Sequence, residues 1–369
     1  DVARGVAILG TLGTNIWIMT DPEGMIGYLN RVGSPDSGWV ERLLQQLAQG
    51  KFLGLLTVMF GIGLAIQQAS AARAGRRWPG GYPWRACLLF LDGVLNFVLV
   101  AEFDVLMGYA VTGLVVAFLL ATSERAQRRW LLGAAAVHVA MLSLFALALL
   151  AADSGSGSGE PRPLEPNPYA HGSFWDLVLF RLDNAALFRL EPLVIFPMSV
   201  ALFLTGAALY RRGVFRPEGA ALRRRLLVVG ALAAVADLLA GMLVGGSVLV
   251  LTRYGTAPLV ALGLLALVAG YYVRGARPGF AGRRLSEVGR TALSCYILQN
   301  LVASALCYGW GLGLAARVGE DARVPFTVGV YLLVSAIVVT AAHLWLRRFE
   351  RGPVEWLWHR CYHRLAGDR

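Results

Sequence analysis

Charge is what this sequence has least of. Of its 369 residues 15% are charged and 57% are apolar. A soluble domain carries about 25% charged residues, and one core cannot hide this much apolar surface from water. Soluble enzyme, fibrous protein and disordered chain are therefore excluded. Lysine is almost missing: among 34 basic residues Lys51 stands alone, and the rest are Arg. Histidine and cysteine are scarce, with 5 and 4 copies. Cys87, Cys295, Cys307 and Cys361 show no metal or redox spacing, and no metal site is expected. A Walker loop, a dinucleotide fingerprint and a Gly-x-Ser-x-Gly elbow are also missing, which sets aside the chemistries they carry. The formal net charge of +11 lies in short Arg clusters between apolar runs. That is a topology signal and not a nucleic-acid footprint, so no nucleic-acid partner is expected.

What is present is a series of apolar runs of about 16–22 residues, long enough to cross a ~30 Å hydrocarbon layer as helix. Ten can be read: 2–19, 52–70, 86–101, 105–122, 131–151, 192–210, 226–244, 256–273, 291–312 and 326–346. The expected fold is all-α, a polytopic membrane bundle of about ten transmembrane helices making one integral membrane domain over 1–369. No period-two alternation supports a barrel. The eighth run is short, and the segment before it, around Arg253, reads as re-entrant. The chain opens at Asp1, one residue from an apolar run, so further residues upstream are expected. Placing the start of the first run in the cytoplasm puts roughly three quarters of the basic residues on that side. Both termini, with a tail at 347–369, are thus expected to be cytoplasmic, in a multi-pass protein of the cell inner (plasma) membrane. On the other side, 152–190 reads as an external flexible loop followed by an interfacial helix, or more sharply as a lid over an outer site.

Polar residues inside apolar runs are costly and tend to face a cavity or each other. They are Asn15, Asp92, Asn96, Glu102, Asp104, His138, Asp237, Gln299, Asn300 and His343. Each has a plain reading beside a functional one. Lone His138 and His343 read as packed residues, Gln299 and Asn300 as helix–helix glue, Glu102 and Asp104 as solvated turn residues. Asp237, deep in an apolar run, reads first as functional, with a structural Arg partner as the plain alternative.

Five strings, in order, carry a resemblance: DVARGVAILGTLGTNIW, KFLGLLTVMFGIGLAIQ, DGVLNFVLVAEFDVLMGYAV, GRTALSCYILQN and the tail WLRRFERGPVEWLWHR. Together they resemble the YeiB-like family of bacterial membrane proteins. That family is grouped with membrane acyltransferases, including the acyltransferase-3 proteins and heparan glucosaminide acetyltransferase. The resemblance implies a bundle of about ten helices that moves an acyl group from cytoplasmic acyl-CoA to an acceptor across the membrane. Acyltransferase-3 proteins carry an Arg, ten residues, then a catalytic His in their first core helix. Here Arg4 is followed by ten residues and Asn15, and the heparan enzyme is similar in having Asn there. Many relatives also have His where this chain has Asn96.

Asn cannot take a proton at neutral pH, so Asn15 would position a group or stabilise an oxyanion. The base is then expected among carboxylates: Asp104 first, Glu102 second, Asp21 and Asp183 behind them. Asn15 and Gln299 are the amide donors, and Arg4 and Arg290 meet the CoA phosphates. Arg4 and Asn15 are eleven residues apart, roughly 16 Å along a helix, the reach of an extended pantetheine arm. The arm is expected between the first and ninth runs, while Asn15, Glu102 and Asp104 converge near the outer face. The expected reaction transfers an acyl group, acetyl first among them, to a hydroxyl or amine of an envelope component or secondary metabolite. Acyl-CoA (acetyl-CoA) is a cosubstrate, with no permanently bound cofactor. The partners expected are the bilayer, acyl-CoA and an acceptor small molecule or glycan, with a homodimer left open. The alternative is a small-molecule transporter or exporter using Asp92 and Asp237 as proton-relay groups, though no internal repeat supports it. A scaffold without chemistry accounts poorly for so many polar residues inside spans.

Overall fold

The structure, a computed structural model, describes residues 1–31, 38–153, 164–244, 248–275 and 277–366. These form helices and short turns, with no strand among the described residues. The bundle opens with α1 (Val2–Met19), α2 (Gly24–Arg31), α3 (Trp39–Ala48) and α4 (Lys51–Arg73). It continues with α5 (Tyr82–Leu99), α6 (Leu106–Leu120) and α7 (Glu124–Asp153). Four short pieces follow, α8 (Pro168–His171), α9 (Phe174–Asp183), α10 (Ala185–Phe188) and α11 (Leu190–Val194). Then come α12 (Phe196–Arg211), α13 (Ala220–Leu243), α14 (Val248–Leu251), α15 (Ala257–Val273) and α16 (Phe280–Arg290). The chain closes with α17 (Ala292–Cys307), α18 (Arg323–Leu346) and α19 (Pro353–Ala366).

Seven of the described helices or joined helices are long and apolar enough to cross a membrane. The number becomes eight if 185–194 and 196–211, bent by 44°, are one span. All ten apolar runs are helical, but α6 and α17 have only 15 and 16 residues. At 1.5 Å per residue that is about 22–24 Å, short of the hydrocarbon layer. Both end inside protein. The turn before α6 is buried at Ala101, Glu102 and Asp104, and Tyr308 after α17 is buried too. Irregular backbone is tolerated at membrane depth when protein covers it. The re-entrant reading around Arg253 gives way to a continuous span, 248–273. A π turn at Thr252–Thr256 interrupts the helical ladder there and carries Arg253 toward Glu191 without reversing the chain.

Helix α1 lies at the centre, against α4, α16, α17 and α18. Helix α12 packs on α4, α6 and α7, and α13 on α15 and α3. The crossing of α4 and α12 is glycine-closed from both sides. A Cβ on Gly61 would lie 2.0 Å from the Phe203 carbonyl oxygen, and one on Gly206 2.2 Å from that of Val58. In lipid, where no solvent drives helices together, such close backbone approach supplies the packing energy. Helix α7 is the opposite case, with none of its apolar window buried, so that face meets lipid.

Both ends of the described chain lie on one face, called here the terminal face. Arg4 donates to the carbonyl of Gly289 (3.3 Å), joining the start of α1 to the end of α16. Glu355 of α19 accepts from the first turn of α17. The opposite, far face carries α2, α3 and the pieces α8–α11. Of the external segment expected at 152–190, residues 154–163 lie outside the described residues, as do 367–369 of the tail. The rest is a set of short helices, not one interfacial helix. Trp175, Leu179 and Leu182 of α9 are exposed, whereas Leu177, Val178 and Arg181 face the bundle.

Candidate functional site

A cavity of about 550 Å³ opens from the terminal face into the bundle. Arg4, Arg85, Arg290 and Arg351 line it, with Gln67 beside them. Its inner wall is apolar: Ile8 from α1, Leu56, Met59 and Phe60 from α4, Leu89 from α5, and Val105 and Leu106 at the start of α6. Along α4 the lining runs from Gln67 to Leu56. Eleven residues of helix make that wall about 16 Å long. Tyr296 of α17 closes part of the inner end, and its hydroxyl makes no hydrogen bond of good geometry. One turn further, Gln299 and Asn300 are fully buried with their side-chain nitrogens and oxygens in the same state. Tyr296 approaches Asn300 and the Val105 backbone without a well-formed hydrogen bond, an unusual state since buried polar groups are ordinarily paired.

Of the predicted phosphate contacts, the structure puts Arg4 and Arg290 together on this one cavity. It does not bring Asn15 or Gln299 onto the cavity wall. Asn15 is half-buried. Eleven residues at 100° each bring it back to nearly the same side of α1 as Arg4, so it lies deeper on the cavity side of that helix. Asp183 is exposed on α9, away from any cavity wall. Asp21 is buried on the far face and paired with Arg31 (3.2 Å). There desolvation raises its carboxyl above the ordinary range, against the pull of Arg31 and Arg323.

The two favoured carboxylates share one turn but not one environment. Glu102 accepts from the Tyr169 hydroxyl (2.9 Å) on one oxygen and from Arg181 Nε (3.2 Å) on the other. Arg181 is itself fully buried and spends its remaining nitrogens on the carbonyls of Val98 and Val100. Glu102 is thus a tie between the turn and α8–α9. Asp104 accepts from Asn96 Nδ2 (2.9 Å) and from the Met107 amide (3.2 Å). It caps the start of α6 and sits beside Val105, which lines the cavity. On its other side is a pocket of about 20 Å³, shared with Arg189, Glu191 and Ser199. That is room for about one water. Arg189 donates to the backbone carbonyls of Glu102 and Asp104, holding the turn from the far face.

Asp237 has its partner, and it is Lys51, not an Arg. Lys51 Nζ lies 2.5 Å from one carboxylate oxygen, Gln46 donates to the same oxygen (2.7 Å), and Thr256 donates to the other (2.6 Å). The group is complete without a ligand. Asp92 accepts from the indole N–H of Trp358 on α19. His138 pairs with the Tyr254 carbonyl (2.9 Å) and His343 with Glu287 (3.3 Å), both packing roles.

Tyr296, Arg85 and the α19 residues Glu355, Trp358 and Tyr362 escape a reading of the sequence as a row of spans. The usable signals were small: Tyr296 lies one turn before Gln299, and Glu355 falls inside the tail string of the resemblance.

The apolar spans, covered turns at membrane depth and large one-sided cavity define a multi-pass helical membrane protein. Comparison with known proteins places it more closely. The family described as "Protein of unknown function (DUF418)" matches residues 209–364, from the end of α12 into α19. The chain is 28% identical to the uncharacterized protein YeiB of Escherichia coli (strain K12), covering 100% of this chain and 96% of that one. It is 27% identical to the uncharacterized protein YxaH of Bacillus subtilis (strain 168), over 97% and 92% respectively. The chain is homologous to both over nearly its full length, and the DUF418 match falls in its C-terminal half. No solved structure matches it.

Proposed function

We propose that this protein is a membrane acyltransferase, and that the terminal-face cavity is where it takes up acyl-CoA from the cytoplasm. The observation that carries the reading is the cavity's polarity: arginines at its opening, an apolar wall about as long as a pantetheine arm, and the Tyr296 hydroxyl at its inner end. Arg4 and Arg290 would face the nucleotide phosphates, since guanidinium groups pair with phosphate oxygens in fixed forks. The apolar wall takes the arm, and the thioester comes to rest near Tyr296 and Val105. An acceptor oxygen or nitrogen then attacks the thioester carbon and the carbon–sulfur bond breaks. The acceptor's proton passes to a base, which hands it to the departing sulfur, and CoA leaves as the thiol. Asp104 is the base this geometry favours, because Glu102 has both oxygens engaged by Tyr169 and Arg181. Asp104 sits between the cavity wall and a pocket the size of one water, so a proton can reach it through a single relay. The Tyr296 hydroxyl would meet the developing oxyanion, with the amides of Gln299 and Asn300 buried one turn behind it, off the cavity wall. The transporter reading gains no comparable support, since Asp237 is fully engaged by Lys51, Gln46 and Thr256.

The test is calorimetry of the purified protein in nanodiscs with acetyl-CoA. Binding is expected, and Arg4→Ala or Arg290→Ala should weaken it by about 1–3 kcal/mol as a charge-assisted contact is lost. A folded protein that binds no acyl-CoA would overturn the reading.

A further inference from the structure

The cavity is not walled by the membrane bundle alone. Glu355, Trp358, His359 and Tyr362 of α19 line it. Their spacing of three, four and seven residues is one face of a helix. The other face looks outward, with Trp356 47% and Leu357 54% exposed and the Arg360 guanidinium over the Trp356 ring at 4.0 Å. Such an Arg- and Trp-bearing helix suits a membrane surface.

What holds α19 in place is a few polar contacts and one apolar one, the half-buried Trp358 ring packed against the core. Glu355 accepts from the amides of Leu293 (2.8 Å) and Ser294 (3.2 Å) and from the Ser294 hydroxyl. These amides belong to the first turn of α17, where helix N–H groups have no partner of their own. Trp358 donates to Asp92, and the Arg85 guanidinium lies 4.5 Å from the Tyr362 ring centroid. Among the residues of α19 whose burial is described, none is fully buried. An element held by exchangeable polar contacts and little apolar burial opens at low cost.

We propose that α19 is a gate over the cavity, latched by the Glu355 carboxylate on the first turn of α17 and displaced when a ligand loads. The gate stands on the geometry of α19. That its cargo is acyl-CoA rests on the function proposed above, and gives the latch a trigger: a phosphate next to Arg4 and Arg290 competes with Glu355 for the same positive region.

Gly352 supplies a clean way to break the latch. A Cβ there would lie 2.1 Å from Glu355 Oε2 and 2.6 Å from Ser294 Oγ, both tips of movable side chains. Gly352→Ala should push those tips apart and leave the bundle intact. Gly63 supplies the reporter, since it lines the cavity and has open space where a Cβ would go.

The experiment measures the labelling rate of a Gly63→Cys reporter by a fluorescein maleimide. The protein is held in nanodiscs, with Cys87→Ser and Cys361→Ser in the background. Protein lacking the reporter gives the contribution of buried Cys295 and Cys307. Labelling should be slow in the parent and about tenfold faster in both Glu355→Gln and Gly352→Ala, as a charge-assisted contact is lost. Leu357→Ala, on the outward face, should leave it unchanged. Rates unmoved in both latch variants, with both eluting as the parent does, overturn the gate. Faster labelling without acetyl-CoA binding upholds the gate and sinks the cargo. Acetyl-CoA binding with unmoved rates does the reverse.

Discussion

The bundle is covered at both ends, and the two covers are built differently. On the far face, α8–α11 are riveted: Arg181 and Glu102 are each 1% exposed, Tyr169 shares the carboxylate, and Arg189 grips the backbone of the same turn. On the terminal face, α19 touches the bundle through Glu355, Trp358 and Tyr362 and leaves its outer side bare. A buried charge must keep its partner or pay the full cost of desolvation, so the far cover cannot lift without leaving Glu102 unpaired. A half-exposed cover trades each contact for water at small cost. Access to the cavity is therefore expected from one face only.

The sharpest way to break this comparison is Arg181→Ala. It strands a buried carboxylate, so unfolding in detergent should show a loss of about 3–5 kcal/mol. The double change Glu102→Leu with Arg181→Met should recover most of that, because no lone charge remains. If Arg181→Ala is silent, the far cover is no rivet. Trp358→Phe removes one hydrogen bond to Asp92 and should loosen α19 by about 1 kcal/mol without touching the bundle. Hydrogen exchange of α19 amides should rise while those of α1 and α12 stay protected. The smallest effect is expected at the start of α9, where Ser173 and Asp176 form a capping box. Hydrogen bonds from Ser173 hold the Asp176 carboxyl below its ordinary pKa. A lowered folded pKa makes this contribution fully present above the unfolded pKa and lost as pH falls through the folded one. Ser173→Ala keeps the backbone donor and should only shrink that pH dependence of exchange in the first turn of α9, whereas Asp176→Asn should remove it; both should leave α19 unaffected.

Much of the architecture was legible in the residues. A helix lies at each of the ten apolar runs, though seven of the described helices or joined helices, or eight with the bent pair, are long and apolar enough to cross a membrane. Arg4 and Arg290, far apart in sequence, both line the terminal-face cavity. The span count was less legible. The composition of 105–122 and 291–312 looks like full crossings, and only the fold shows that α6 and α17 stop short inside protein. The carboxylates were harder still. Glu102 and Asp104 are two residues apart and look alike as a pattern, yet one is tied by Arg181 and Tyr169 and the other caps α6 beside the cavity. Lys51 gave no local sign of Asp237, since 186 positions separate them.

The sequence by itself determined that the chain lives in a membrane, where its helices fall and which face is basic. Those properties are sums over neighbouring residues, and a hydrocarbon layer leaves helix as the one form that satisfies their backbone locally. Only the tertiary structure decided which buried charge has a partner, where a cavity opens and which cover can move. Those depend on side chains brought together from distant stretches, because the cost of a buried polar group is set by what it meets and not by its neighbours in the chain.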